Sequence, residues 1–469
     1  MDERYQKLKQ TLANVNQDHL LTFYTELNEA DKAQLLDQLG DQDWDMLSEL
    51  IAAPASEEIP EDLQPAPSYP RTPTPDSEAK YAQARELGEG LISGGKVAAF
   101  TVAGGQGTRL GWDGPKGTFP ATPLKKKPLF QVFAETLQNV QRSYDTTVPW
   151  YLMTSEINDA DTRAFFETHD YFGLDKANVM FFKQGSMPSI SNEGKVLLAS
   201  KASLALSPDG HGGSLKALYK SGAIDDMERR GVEQISYFQV DNPNVKPIDP
   251  LFIGLHVLDE AEMSAKMLPK AQPLEKVGNF CMSGGRLTVI EYSDMPEGLA
   301  KQRDENGELM FNAGSIAIHL LSVAFVKRLN EASGRFALPY HRANKKVPYI
   351  DPDSGQQVTP KSPNAIKLET FVFDAMPLAK KAIILETERT EEFAPIKNAE
   401  GADSPATSGQ LQTERAARWL AAHGVKIPRD SDGNVDAVIE LNPLTAVAPE
   451  QLKAEDLPKG VERGGRLEL

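Results

Sequence analysis

The sequence predicts an α/β fold with a mostly parallel sheet and helices on both faces. Three observations predict it. Short apolar runs alternate with amphipathic stretches from residue 96 to about 390, among them Val148–Met153, Val179–Phe182, Ile235–Val240, Leu287–Tyr292 and Ala382–Leu385. That alternation is the pattern of βαβ units. The run Val97–Val102 follows Gly94-Gly95 and empties into Gly104, Gly105 and Gly107, which reads as a buried strand ending in a glycine turn. A chain of 469 residues, 40% of them hydrophobic, can build two or three domains around a large core.

Taken in order, residues 1–53 carry helical periodicity: Tyr5, Leu8, Leu12 and Val15, then Leu20, Leu21, Phe23, Tyr24 and Leu27, then Leu35, Leu36 and Leu39. Asn28–Asp31 and Gly40-Asp41 supply breaks and caps. A helical hairpin or small bundle with a scaffolding role is expected. Pro54, Pro60, Pro65, Pro67, Pro70, Pro73 and Pro75 make 54–76 an extended connector, because proline is excluded from helix interiors and central strands. A helix from about Asp76 to Leu91 leads into the glycine turn. An amphipathic segment, 195–206, precedes Pro208–Gly213. Residues 400–411 read as a polar connector, Glu414–His423 as a helix and Ala437–Leu441 as a strand. The expected segments are 1–94, a central 95–398 and a small C-terminal domain, 399–469.

Composition excludes several classes. The net charge of −17 disfavours nucleic acid and anionic membranes as partners, including for the basic run Leu338–Asp351. Cys281 is the single cysteine, so no intramolecular disulfide forms and a reducing compartment fits. Within Asn-Phe-Cys-Met it reads as a core residue. The charged start lacks an apolar signal region, and no apolar run approaches the ~18 residues of a membrane span. A cytoplasmic protein is expected. No His/Cys spacing suits zinc.

The glycine turn carries the chemistry. Glycine leaves the backbone bare, and successive N–H groups in such a turn form a concavity for anions. Arg109 and Lys116 add two cations, so the stretch reads as a polyphosphate site. A Walker loop needs Gly-Lys-[Ser/Thr], but Lys116 lies between Pro115 and Gly117. A dinucleotide fingerprint needs a third glycine where Leu110 stands, which argues against an oxidoreductase. After the run 235–240 comes Asp241-Asn242-Pro243. An aspartate at a strand's carboxyl end beside phosphates suits Mg²⁺, and Asp-Asn-Pro is equally good turn chemistry.

The string Ala103-Gly-Gly-Gln-Gly-Thr-Arg-Leu-Gly111, followed by Pro115-Lys-Gly117, resembles the signature of the UDP-sugar pyrophosphorylases, the UTP:sugar-1-phosphate uridylyltransferases. It is most similar to their eukaryotic-type UDP-N-acetylglucosamine branch, and the resemblance covers roughly 10–445. It implies a Rossmann-like nucleotidyltransferase core with a mixed, mostly parallel sheet, an N-terminal helical region and a small C-terminal domain. It also implies that UTP and a sugar 1-phosphate are converted to a UDP-sugar and pyrophosphate with Mg²⁺.

By the same resemblance, Ala103, Gly104 and Gly105 lie against the uridine, and Arg109 and Lys116 clamp the triphosphate. Gln184 and Gly210 contact the base, and Asp241 the nucleotide and metal. Lys367 contacts the nucleotide phosphates and Lys397 the sugar phosphate. Glu291 and Tyr292 stand near the sugar. Phe311–His319 resembles a family segment written Asn-Ala-Gly-Asn-Ile-Ala-Asn-His, but Ser315 and Ile318 replace two of its asparagines. His211 replaces an asparagine of the N-acetylglucosamine branch and matches the histidine of UDP-glucose pyrophosphorylases. A serine hydroxyl is shorter than an amide and donates one proton, so the sugar pocket is altered. N-acetylglucosamine 1-phosphate is the expected sugar substrate. A UDP-glucose or broad-specificity pyrophosphorylase is the enzyme alternative, and a non-catalytic UDP-sugar-binding protein the alternative of another class.

Overall fold

The computed structural model describes residues 3–53, 59–331 and 336–469; Pro54 of the proline-rich stretch lies outside them. The chain forms two compact units, which cut across the linear segments 1–94, 95–398 and 399–469. The first gathers Met1–Ile59, Gln184–Lys216 and Leu338–Asp374, and the second holds the remainder.

In the first unit, helices α1 (Glu3–Asn14), α2 (Glu29–Gly40) and α3 (Trp44–Ala52) follow the leucine periodicity. Asn28 caps α2 by accepting the Asp31 N–H, and Asp43 caps α3 by accepting that of Met46. Their Leu12, Leu35, Leu39 and Leu47 share a core with Met187, Ile190, Val196, Leu204 and Leu368. In the amphipathic segment 195–206, Leu198–Ser200 and Ser203–Leu204 pair as antiparallel strands. Val196, Leu198, Ala202, Leu204 and Leu206 recur at even positions, the period of a strand. The basic run forms the strand His341–Lys345, which pairs with Ala365–Glu369, and that strand in turn pairs with Ile190-Ser191.

The second unit holds a ten-stranded mixed sheet. Its strands are β1 (Gln64–Pro65), β2 (Val97–Val102), β3 (Trp150–Thr154), β4 (Val179–Lys183), β5 (Gln234–Gln239), β6 (Met263–Pro269), β7 (Gly278–Ser283), β8 (Arg286–Ile290), β9 (Ala313–Ser322) and β10 (Ala382–Glu386). The order is β1-β7-β9-β5-β2-β3-β4, with β6 paired to β9 and β10, and β8 to β7. Ladders β5–β2, β2–β3, β3–β4 and β6–β10 are parallel, whereas β9 runs antiparallel to β5, β6 and β7. The run Leu287–Tyr292 belongs to an antiparallel hairpin with β7 rather than to a βα unit. Gly284 and Gly285 take φ of +54° and +73°, the conformation a two-residue hairpin turn requires.

Helices α4 (Glu78–Ser93), α5 (Leu129–Tyr144), α6 (Asp159–Thr168), α7 (Pro250–Leu258) and α8 (Pro405–Ala422) accompany the sheet. Phe130, Phe133, Trp150, Leu152, Phe166 and Phe238 pack in its main core. Helix α8 starts inside the stretch expected to be a connector. Ser404 and Thr407 form a reciprocal capping box and Pro405 occupies the first turn, so residues with loop-like composition are a helix start. Trp419 and Leu420 of α8 bury against Val425, Ile439 and Leu452. Cys281 is buried with Met295 and Phe311, and burial pushes its thiol up to about 12 although Lys270 opposes the shift. Among the described residues no helix is long and apolar enough to cross a membrane.

Helices α4 and α7 touch backbone to backbone. A Cβ on Gly254 would lie 1.6 Å from the Ala84 carbonyl oxygen, whereas one on Gly90 would meet nothing within 4 Å. Gly254→Ala should therefore destabilise the protein by about 1–3 kcal/mol through overpacking. Gly90→Ala should stabilise it by ~0.5–1 kcal/mol through helix propensity. Urea unfolding of the two variants checks both signs.

Candidate active site

Strands β2 and β5 are parallel neighbours with Val102 opposite Gln239, so the segments after them leave the sheet at the same edge. In parallel sheets this carboxyl edge is where ligands bind. After β2 the backbone turns at once. Ala103, fully buried, donates its N–H to the Met153 carbonyl at 2.8 Å. Asn158, also fully buried, uses its Nδ2 to hold the carbonyl oxygens of Ala103 (2.9 Å) and Gly105 (3.3 Å). No backbone acceptor among the described residues takes the N–H groups of Gly104 and Gly105. The turn thus has its carbonyls tied down and its donors available, the polarity an anion needs.

The loop folds back so that the Lys116 N–H donates to the Gly105 carbonyl (3.0 Å). A Cβ on Gly117 would fall 2.1–2.5 Å from atoms of the Phe130 ring, so glycine lets this return lie flat on α5. Lys116 is only 9% exposed, and its Nζ sits 3.1 Å from Oδ2 of Asp241, itself 8% exposed. Arg109 lies exposed on the turn Thr108–Leu110 and makes no ion pair among the described residues.

Asp241 and Lys397 are brought together by main-chain contacts. The Ile396 N–H donates to the Asp241 carbonyl (2.8 Å). Asn242 donates through Nδ2 to the Glu392 carbonyl (2.6 Å) and accepts the Ala394 N–H (2.9 Å). The segment leading to Lys397 is thereby stitched to the Asp241 turn. Burial opposes ionisation of Asp241, yet the charges of Lys116 and Lys397 hold its carboxyl below the ordinary carboxylate range. Lys397 also approaches Asp403 at 3.7 Å and lies 5.4 Å from the Phe393 ring centre.

Ser315 and Glu291 flank Gly278: a Cβ there would lie 3.6 Å from the Glu291 carboxylate and 3.7 Å from the Ser315 Cβ. Tyr292 is exposed. In the first unit, Gln184 donates to the Gly210 carbonyl (2.8 Å) and to Asp209 (3.2 Å). Gly210 has φ +83°, and a Cβ would meet the Thr370 carbonyl oxygen at 2.3 Å. His211 stacks on Phe371 at 5.3 Å, and its Nδ1 accepts the Val372 N–H at 3.1 Å, which puts the proton of the neutral ring on Nε2. Lys367 lies on the strand 365–369 with no ion pair among the described residues. Asn158, Asn242, Gly278 and Phe371 are the site residues that the sequence reading lacks. Asn158 follows β3 at the same sheet edge, which was the available signal.

Burial, reinforced by the charge of His341, pulls His211 from 6.5 down to about 4. A histidine held neutral in the fold binds fewer protons than the unfolded chain between these values, so its contribution to stability is complete above about pH 6.5 and is lost as pH falls towards 4. Burial of His256 gives the same window. His211→Asn should flatten part of the stability loss between these values and leave the His256 part; denaturant unfolding against pH checks it.

Comparison with known proteins finds relatives along nearly the whole chain. The UTP–glucose-1-phosphate uridylyltransferase family matches residues 68–427. The human UDP-N-acetylhexosamine pyrophosphorylase-like protein 1 is 38% identical over 96% of this chain and 94% of its own. The UDP-N-acetylglucosamine pyrophosphorylase of Saccharomyces cerevisiae is 34% identical over 95% of this chain and 96% of its own. The crystal structure of the Trypanosoma brucei uridine diphosphate N-acetylglucosamine pyrophosphorylase, determined with an inhibitor, superposes with a TM-score of 0.80 at 30% identity, covering 96% of this chain and 94% of that one. This chain belongs to the UTP–glucose-1-phosphate uridylyltransferase family.

Proposed function

We propose that the chain is a uridylyltransferase that makes a UDP-sugar and pyrophosphate from UTP and a sugar 1-phosphate, with N-acetylglucosamine 1-phosphate as the sugar substrate. The observation that carries this reading is the Lys116–Asp241–Lys397 cluster directly after the glycine turn. Lys116, Lys397 and Arg109, the last without an ion pair among the described residues, outnumber Asp241 and Asp403 and leave net positive charge at the sheet edge where a triphosphate would lie. The substrate class follows the names of the human and yeast relatives.

The sugar-phosphate oxygen attacks the α-phosphorus in line, and pyrophosphate leaves on the opposite side. A phosphate monoester is largely dianionic near neutrality, so no general base is needed. Asp241, held ionised between lysines, stays a carboxylate throughout. Catalysis is then positioning plus charge stabilisation. Arg109 and Lys116 neutralise the triphosphate and the leaving pyrophosphate, and Lys397 holds the attacking phosphate. Ala103, Gly104 and Gly105 carry the nucleoside. Gln184, Gly210 and Lys367 keep the nucleotide roles implied by resemblance, and His211, Glu291, Tyr292 and Ser315 the sugar roles. Asp241 fits Mg²⁺, an ion that takes one or two carboxylates together with substrate phosphates and water. No group of three or more His, Cys, Asp or Glu suited to a metal gathers among the described residues, so the ion would arrive with the nucleotide; bound, it supplies screening of phosphate charge. The single cysteine fits a cytoplasmic setting.

A broader sugar range that includes glucose 1-phosphate is the second reading. His211, neutral with its proton on Nε2, and the short Ser315 hydroxyl beside Gly278 favour it. Pyrophosphate release from UTP with Mg²⁺ and the 1-phosphates of N-acetylglucosamine, N-acetylgalactosamine, glucose and galactose separates the two. Release with the acetylated sugars alone is expected; comparable release with glucose supports the second reading, and release with none while UTP binds overturns both. Arg109→Ala and Lys116→Ala should each lower turnover on the order of 10²–10³-fold with unchanged circular dichroism. Near-normal turnover in either removes that residue from the site.

A further inference from the structure

Past the Asp241-Asn242 turn, Pro243–Lys246 line a cavity of 220 Å³, whose walls also include Arg71, Glu388, Glu391, Glu392, and Arg415 and Trp419 of α8. No residue assigned above to the reaction lines it. Two of its groups lack what burial demands. Asn244 is fully buried; its Nδ2 donates to the Thr390 carbonyl (3.1 Å), but its Oδ1 has no donor among the described residues. A buried amide oxygen is costly unless it meets a donor. Among the described residues Arg415 spends only Nη1, on the carbonyls of Asn244 (3.0 Å) and Glu391 (3.4 Å), and it lies over the Trp419 ring at 5.3 Å. Among the described residues no carboxylate pairs with it.

The carboxylates of the same walls are already engaged. Glu388 takes Arg71 (2.6 Å) and Arg418 (2.8 Å), Glu391 takes Arg418 (3.5 Å) and the Trp419 indole N–H (2.9 Å), and Glu392 shares Lys266 with Asp249, which also takes Lys246 (3.6 Å), so Arg71, Arg418, Lys266 and Lys246 balance these four carboxylates without Arg415. The charge left over in the cavity is therefore positive. Burial lowers Arg415 to about 10 while Glu391 and Glu392 pull the other way; it is cationic at neutral pH and incompletely compensated.

We propose that this cavity is a binding site for a small oxyanion that carries a hydroxyl, either hydrogenphosphate or the phosphate end of a small phosphorylated polyol. The anionic oxygens take the spare N–H groups of Arg415, and the hydroxyl donates to Asn244 Oδ1. Asn244 follows the Asp241 turn, and Glu391 and Glu392 precede Lys397 on the segment stitched to that turn by Asn242. An anion here braces the main chain behind both charged groups.

The test is calorimetry and thermal melting of the full chain with inorganic phosphate, sulfate and glycerol phosphate near neutral pH, without substrates. Phosphate should bind in the millimolar range or tighter and raise the melting temperature with concentration. Sulfate, which has no proton to give Asn244, should bind several-fold more weakly. Glycerol phosphate tighter than phosphate identifies the polyol ester as the ligand source, and equal affinities identify free phosphate; both agree with the proposal. Arg415→Gln should abolish binding. Should that variant not fold, Ala448→Phe, which fills the cavity at a half-buried wall position, carries the same expectation. Lys116→Met should bind phosphate normally. Binding lost in Lys116→Met but kept in Ala448→Phe puts the anion at the glycine turn and overturns the proposal, as do equal binding of sulfate and no binding at all. Because binding is read without turnover, the result stands apart from the uridylyltransferase reading.

Discussion

A carboxylate held between two ammonium groups is the interaction on which the second unit's site depends. Asp241 is nearly out of water, and an ion in that position is tolerated only when it is paired. Lys116 supplies the ion pair (3.1 Å), and the charge of Lys397, which itself approaches Asp403 at 3.7 Å, adds to it. Each arrives by main-chain contacts: Lys116 through its N–H on Gly105, and Lys397 through Ile396 on the Asp241 carbonyl. The parallel ladder between β2 and β5 fixes where the Lys116 loop and the Asp241 turn begin. Three charges from distant parts of the sequence therefore meet because of backbone geometry, and their side chains need little search to find each other.

The same arrangement suits displacement at phosphorus. Fixed cations are worth most where charge develops and water is scarce. The turn at Gly104 and Gly105 presents donors while Asn158 occupies its acceptors, so the loop's polarity is set before any substrate arrives. Asn242 works in the same way on the other side, holding the segment 392–394 with both ends of one amide. Preorganisation of this kind limits the reorganisation that accompanies reaction, and it places the supporting asparagines among the most consequential residues of the site.

Much of this was legible in the sequence, for physical reasons that differ by element. Strands β2 to β5 and β10 announce themselves as apolar runs, because a strand buried on both faces needs no alternation. The β7–β8 hairpin was not legible as such, since its direction is set by the left-handed Gly284-Gly285 pair rather than by the apolar pattern of Leu287–Tyr292. The start of α8 was hidden by composition: Ser404, Thr407 and Ser408 look like loop, but Ser404 and Thr407 form the cap. In 195–206 the apolar residues were legible as an amphipathic segment, and their period of two belongs to paired strands. At the site, Lys116 and Asp241 stood out because they sit in recognisable motifs. Asn158 and Asn242 did not, because each acts on backbone carbonyls or N–H groups that no linear pattern pairs with it. Arg415 was equally silent, its role depending on which carboxylates are already taken.

The arrangement supports a single direct displacement at the α-phosphorus, with no group of the protein acting as nucleophile. The stereochemical course with UTP chiral by sulfur substitution at the α-phosphorus tests it most directly. Inversion of configuration in the UDP-sugar product is the predicted result. Retention would mean two successive displacements through a covalent uridylyl-enzyme, and would contradict the assignment of Lys116, Asp241 and Lys397 to charge stabilisation and positioning alone.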